Sequence, residues 1–134
     1  MEFNGLIPEL TVSDIDKSKK FYVDILGFKI EYERLEDKFV FLSLDTSQIM
    51  LEQYHNDGWN IGDLVYPFGR GINFSIEVED IEKLYLSLTV NDYPLYRPMM
   101  NNSYRVNDNL IEQKEFLVQD PDGYLLRFTH EKKA

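Results

Sequence analysis

Apolar and polar positions along this chain repeat with two different periods, and the changes of period mark its elements. Residues 6–12 read as a first strand, with Pro8 near its start, where proline is tolerated. Ser13-Asp14 offers a helix N-cap, with Asp16 in the first turn. Ile15, Ser18, Tyr22, Ile25 and Leu26 then fall at helical spacing, and Gly27 stands where a C-cap glycine belongs. Strands are predicted over 28–34, 39–44 and 48–53, joined by a polar turn at 35–38 and a tighter one at Asp45-Thr46-Ser47.

A long connection, 54–70, carries Gly58, Trp59, Gly62, Pro67 and Gly69, and connections of this length inside a compact domain are often functional. The pattern then restarts. Residues 71–78 predict a strand, Asp80 caps a helix with the stripe Ile81, Leu84, Tyr85 and Leu88, and Asn91-Asp92 ends it. A strand over 95–100, a polar loop over 101–109 and a strand over 112–119 follow. Asp120-Pro121-Asp122-Gly123 is a tight turn, because proline presets one dihedral and glycine accepts positive φ, and the last strand covers 124–130. Both halves thus read β-α-β-β-β. Val12-Ser13-Asp14-Ile15-Asp16-Lys17 also recurs as Val78-Glu79-Asp80-Ile81-Glu82-Lys83. A repeated order of elements around a repeated motif points to duplication. The expected organisation is one domain over 1–134, with module 1 over about 1–55, a linking loop over about 54–70 and module 2 over about 71–134.

Composition narrows the class. The 134 residues are 43% hydrophobic, enough for one domain with a real core. No run of about 18 apolar residues predicts a membrane span. The first ten residues lack a secretory pattern, and cysteine is absent, which excludes disulfides, thiolate metal sites and cysteine nucleophiles. A cytoplasmic setting is expected. A net charge of -10 argues against nucleic acid and favours a cationic ligand, although acidic chains are commonly acidic merely for solubility.

Residues 6–15, the helical Phe21-Tyr22, Leu26-Gly27-Phe28 and the late stretch 116–128 with its Asp-Pro-Asp-Gly turn resemble the vicinal oxygen chelate superfamily, the glyoxalase and bleomycin-resistance group. The resemblance spans nearly the whole chain. It implies an α+β fold in which two βαβββ modules form a curved mixed sheet, and it implies a homodimer. In the catalytic members, His and Glu on the first and last strands of each module hold a divalent metal, chemistry suited to imidazole and carboxylate. By this resemblance the matching positions here are Ile7, Glu52, Asn73 and Arg127, with Glu52 and Arg127 at corresponding places. Only Glu52 is an ordinary ligand, and Arg127 brings a permanent positive charge. His55 and His130 fall elsewhere.

The expectation is therefore a small-molecule binder of the bleomycin-resistance type, with no cofactor, no metal and no catalytic residue, that sequesters a bulky cationic drug in a dimer groove. The alternative is a divergent lyase, isomerase or dioxygenase with a rearranged metal site using Glu52. A third option is an orphan domain whose groove has lost its ligand. The candidate ligand-binding residues are Tyr32, Phe39, Glu52, Tyr54, Trp59, Asn73, Glu112 and Arg127. Tyr32 and Phe39 match groove aromatics of drug-binding relatives, and aromatic faces suit flat heterocycles and cations. Phe41 shares a strand face with Phe39, and ordinary core packing is its favoured reading. Trp59, in a polar loop, suits binding or a dimer contact. Glu52 and Arg127 are read either as an ion pair replacing the metal or as separate structural residues. Glu112 and Glu115, with Asp63, would make a negative wall, a solvated face being the simpler reading. No Gly-rich phosphate loop or Gly-X-Ser-X-Gly elbow occurs.

Overall fold

A computed structural model describes residues 1–132. In chain order the elements are β1 (Glu9–Val12), α1 (Ile15–Lys19), a π-helical stretch (Lys20–Ile25), β2 (Lys29–Arg34), a 3-10 turn (Leu35–Asp37), β3 (Phe39–Leu44) and β4 (Ser47–Gln53). The second half adds β5 (Asn73–Glu77), α2 (Ile81–Val90), β6 (Arg97–Val106), β7 (Asn109–Gln119) and β8 (Leu125–Lys132). Two four-stranded mixed sheets result, ordered β1-β4-β3-β2 and β5-β8-β7-β6. In each, the first and last strands of the module pair in parallel and the others antiparallel. The α+β fold with a repeated βαβββ order is as the sequence predicts.

Three local expectations differ. The polar stretch 101–109 is not a loop: β6 runs on to Val106, and the hairpin turns at Asn107, whose φ is 56°. Polar side chains suit a strand whose faces both meet polar or solvated surroundings, so polarity alone misleads there. The first strand begins at Glu9 rather than at residue 6. The first helix changes from α to π geometry at Lys20, with the Leu26 N–H donating to the Phe21 carbonyl five residues back. Such widened turns are uncommon, and here adjacent Phe21 and Tyr22 both point inward.

One apolar core takes residues from both halves. Leu10, Val12, Val40, Leu42 and Leu51 come from the first sheet, Phe21 and Tyr22 from its helix, and Leu84, Leu88, Phe116, Leu126 and Phe128 from the second module. Strand alternation places these on one face of each sheet and their neighbours on the other. Each sheet therefore has a core face and an outer face.

The Asp-Pro-Asp-Gly turn binds the halves together. Tyr22 Oη donates to Asp120 Oδ2 at 2.7 Å, and the Ser13 backbone N–H and hydroxyl both donate to the Asp122 carboxylate. Asp120 Oδ1 accepts from the backbone of Asp122 and Tyr124. Burial pushes the Asp120 carboxyl up to about 6 despite these bonds. Gly123 has a φ of 97°, and a Cβ there would lie 2.6 Å from Pro67, so only glycine fits.

Candidate functional site

The outer face of the first sheet follows from its register. Cross-strand neighbours share a face, so Tyr32, Phe41, Met50 and Glu9 form one row across β2, β3, β4 and β1. Arg34, Phe39, Glu52 and Thr11 form the next. Tyr32 stacks on Phe41, with ring centroids 5.2 Å apart and planes 14° from parallel, and lies 5.9 Å from Phe39. Phe3 meets Phe41 edge-on at 5.4 Å. Its segment is tied down where the Asn4 N–H donates to Gln48 Oε1 and Gln48 Nε2 donates to the Glu2 carbonyl. The Arg34 guanidinium lies 4.0 Å above the Phe39 ring.

Phe41 is buried, yet it faces away from the shared core and packs in this outer cluster. Its burial matches the core reading, while its place among Tyr32, Phe39 and Phe3 differs from it. Two carboxylates border the rings. Partial burial, together with the neighbouring Glu52 charge, raises the Glu9 carboxyl above its ordinary range, and Arg34 opposes this. Glu52 Oε1 contacts His55 Nε2 at 2.9 Å, and a cleft of about 320 Å³ lies among Glu52, Tyr54, His55 and the 36–38 turn. Tyr54 and Trp59 are exposed, Trp59 almost completely.

The outer face of the second sheet is polar. Ser75, Arg127, Leu117 and Arg97 form one row, and Glu77, Thr129, Glu115 and Met100 the next. Arg127 Nε donates to Asn73 Oδ1 at 3.2 Å, and its Nη1 is 3.5 Å from Glu115 Oε1. Asn102 Nδ2 donates to Glu115 Oε2 at 2.6 Å, and Tyr104 Oη donates to the same oxygen. That bond raises the Tyr104 phenol above its usual range.

The structure thus brings Tyr32, Phe39 and Glu52 together on one face and Asn73 with Arg127 on the other. Several sequence expectations change. Glu52 and Arg127 make no pair within the chain: Glu52 contacts His55, and Arg127 turns to Glu115 and Asn73. Nor do they correspond. Aligning Val12 with Val78 makes Glu9 equivalent to Ser75, and their partners Met50 and Arg127 are then equivalent, while Glu52 matches Thr129. Counting along the sequence misplaced Glu52 by two residues, one full strand repeat. Glu112 and Glu115 do not form a wall: Glu112 is exposed on the opposite face of β7, paired with Ser103, while Glu115 is 1% exposed rather than solvated.

These facts also test the metal position. With Met50 in place of Glu52 as the counterpart of Arg127, the four positions are Ile7, Met50, Asn73 and Arg127. An apolar chain, a thioether, an amide and a guanidinium do not fit a divalent cation that takes nitrogen and carboxylate ligands. Among the described residues, no three His, Cys, Asp or Glu side chains gather as a metal site. Phe3, Arg34, Met50, Asn102 and Tyr104 escaped sequence reasoning. Strand alternation from Tyr32 would have found Arg34, and the others needed the register.

Two repeated modules with an aromatic outer face and a polar outer face define an α+β protein of the glyoxalase type. Residues 7–128 match the model of the Glyoxalase/Bleomycin resistance protein/Dioxygenase superfamily, and the chain belongs to that superfamily. It is 31% identical to bleomycin resistance proteins of Geobacillus stearothermophilus and of Staphylococcus aureus (strain MRSA252), covering 96% of this chain and 97% of each relative. Its fold is similar to that of a glyoxalase/bleomycin resistance protein/dioxygenase from Alicyclobacillus acidocaldarius, with a TM-score of 0.66 and 23% identity over 97% of this chain and 92% of that one.

Proposed function

We propose that this chain is a binding protein that sequesters a bulky, cationic drug of the bleomycin type, in the cytoplasm and without a metal. The observation that carries this reading is the first outer face: three aromatic rings bordered by two carboxylates, Glu9 and Glu52, in a chain of net charge -10. Rings offer flat apolar area and attract cations through their faces, and carboxylates add charge complementarity. Kinship with proteins named for bleomycin resistance supports the choice of drug. Protection then needs no chemistry, because occupancy alone lowers the free drug concentration and affinity sets its extent.

In this reading, two copies pair so that the aromatic face of one meets the polar face of the other, and each groove is closed by both. Tyr54 and Trp59 reach the groove from the 54–70 connection, and Asn73 and Arg127 form its far wall.

Calorimetry with metal-free bleomycin in the presence of a chelator tests the proposal. Saturable binding of one drug per chain is expected, with a dimer in sedimentation. No heat, or binding only after stoichiometric uptake of Zn, Ni, Mn or Fe, would overturn it in favour of a metal-dependent reading.

A further inference from the structure

The aromatic platform already holds a cation. Arg34 Cζ lies 4.0 Å from the Phe39 ring centroid and 6.0 Å from that of Tyr32, within the range of cation–π attraction. Glu52 is the next residue across the sheet from Phe39, and Glu9 is close enough to feel both Glu52 and Arg34. A guanidinium over an aromatic ring, with two carboxylates nearby, is a filled cation seat.

Arg34 is loosely held there. It ends β2, an edge strand, immediately before the 3-10 turn, so its side chain can swing away without breaking a central ladder. Its one ion pair, with Asp37 three residues on, has both side chains about half exposed at 47% and 55%. Pairs so exposed contribute little.

We infer that Arg34 is a built-in occupant of the ligand platform, displaced when a flat, delocalised cation of the ligand takes its place over Phe39. The inference rests on the drug-binding reading of this face and adds a competitor to it. Selectivity follows from the competition: only a ligand group that matches a guanidinium in charge and flatness replaces what leaving Arg34 loses. A neutral ring gains the stacking area but not the charge that Glu9 and Glu52 beside the rings favour.

The test uses the full chain, its Arg34→Ala variant and two probes on the same three-ring frame, cationic proflavine and neutral acridone. Circular dichroism checks that the variant folds. Loss of the competitor should tighten proflavine binding by about fivefold to tenfold and acridone binding by less than about twofold. Adding Phe39→Leu to Arg34→Ala should reverse the proflavine gain. Equal gains for both probes would show that Arg34 only fills space, and no gain for proflavine, or no binding to either protein, would overturn the inference. Bleomycin calorimetry on the unaltered chain separates the two ideas. Drug binding without the proflavine gain removes the competitor and keeps the drug reading, whereas the gain without drug binding does the reverse.

Discussion

Phe39 in the first module and Glu115 in the second occupy equivalent places in the repeated unit, as the partners of Glu52 and Thr129. Both are nearly inaccessible, and both lie on an outer face, away from the shared core. What covers them differs. Arg34 and Tyr32 lie over Phe39, held by a cation–π contact and a tilted ring contact that side-chain rotations can open. Asn102, Tyr104 and Arg127 converge on Glu115, and opening that cover strands a carboxylate without donors. The two modules therefore differ: one face opens cheaply and one resists opening. A binding protein needs both: a surface that accepts a ligand and a wall that keeps its shape.

The largest test breaks the resistant side. Glu115→Ala removes the shared acceptor of the Asn102 and Tyr104 hydrogen bonds and the ionic partner of Arg127, and should cost about 3 kcal/mol, the upper end for hydrogen bonds to a charged group. Urea unfolding reads this as a lowered midpoint. Phe39→Leu, at the equivalent place, keeps the apolar volume and should cost about 1 kcal/mol. Equal losses at the two sites would erase the distinction between the faces.

Next in size is the lock that holds the faces in register. The Asp120 carboxyl sits near 6, raised by burial from 3.8. The folded chain thus holds a proton that the unfolded chain has already released between about pH 4 and 6. Its contribution to stability is fully present below the unfolded value and is lost as pH rises through about 6. The expected span is about 2 kcal/mol after allowance for its residual hydration. Asp120→Asn mimics the neutral form and removes this term. The melting temperature of the unaltered chain, relative to that variant, should rise on going from pH 7 to pH 4. A difference that stays flat across this range would show that Asp120 does not titrate there.

How much of this was legible beforehand depends on how local the signal is. Asp14 and Asp80 cap their helices as their sequence positions imply, and the Asp120 to Gly123 turn forms as its residues require. The helix stripe Ile81, Leu84 and Leu88 is buried as spaced. Relations between strands are not local. A bulge between Ile30 and Tyr32 shifts the pairing of β2 with β3, and the parallel pairings set Met50, not Glu52, against Arg127 as counterpart. Burial of Glu115 was hidden for the same reason: its donors Asn102 and Tyr104 lie on β6, in a stretch whose polarity reads as a loop.

The smallest expected change in stability carries the most information about assembly. Trp59 is the only tryptophan, and in the single chain it is 96% exposed, with Ile61 beside it wholly exposed. Trp59→Ala should therefore shift unfolding by no more than about 0.5 kcal/mol, as exposed substitutions do. An exposed tryptophan in a polar loop still has a consequence if that loop covers a groove, because a ring desolvated on binding is a common anchor. Its fluorescence then reports on the cover directly: emission should move to shorter wavelength when bleomycin saturates the protein, and Trp59→Ala should weaken the drug by about tenfold. Emission that stays at the solvent-exposed position through saturation, with unchanged affinity in the variant, would place the 54–70 connection outside the groove. The aromatic face alone would then have to hold the ligand against the polar wall.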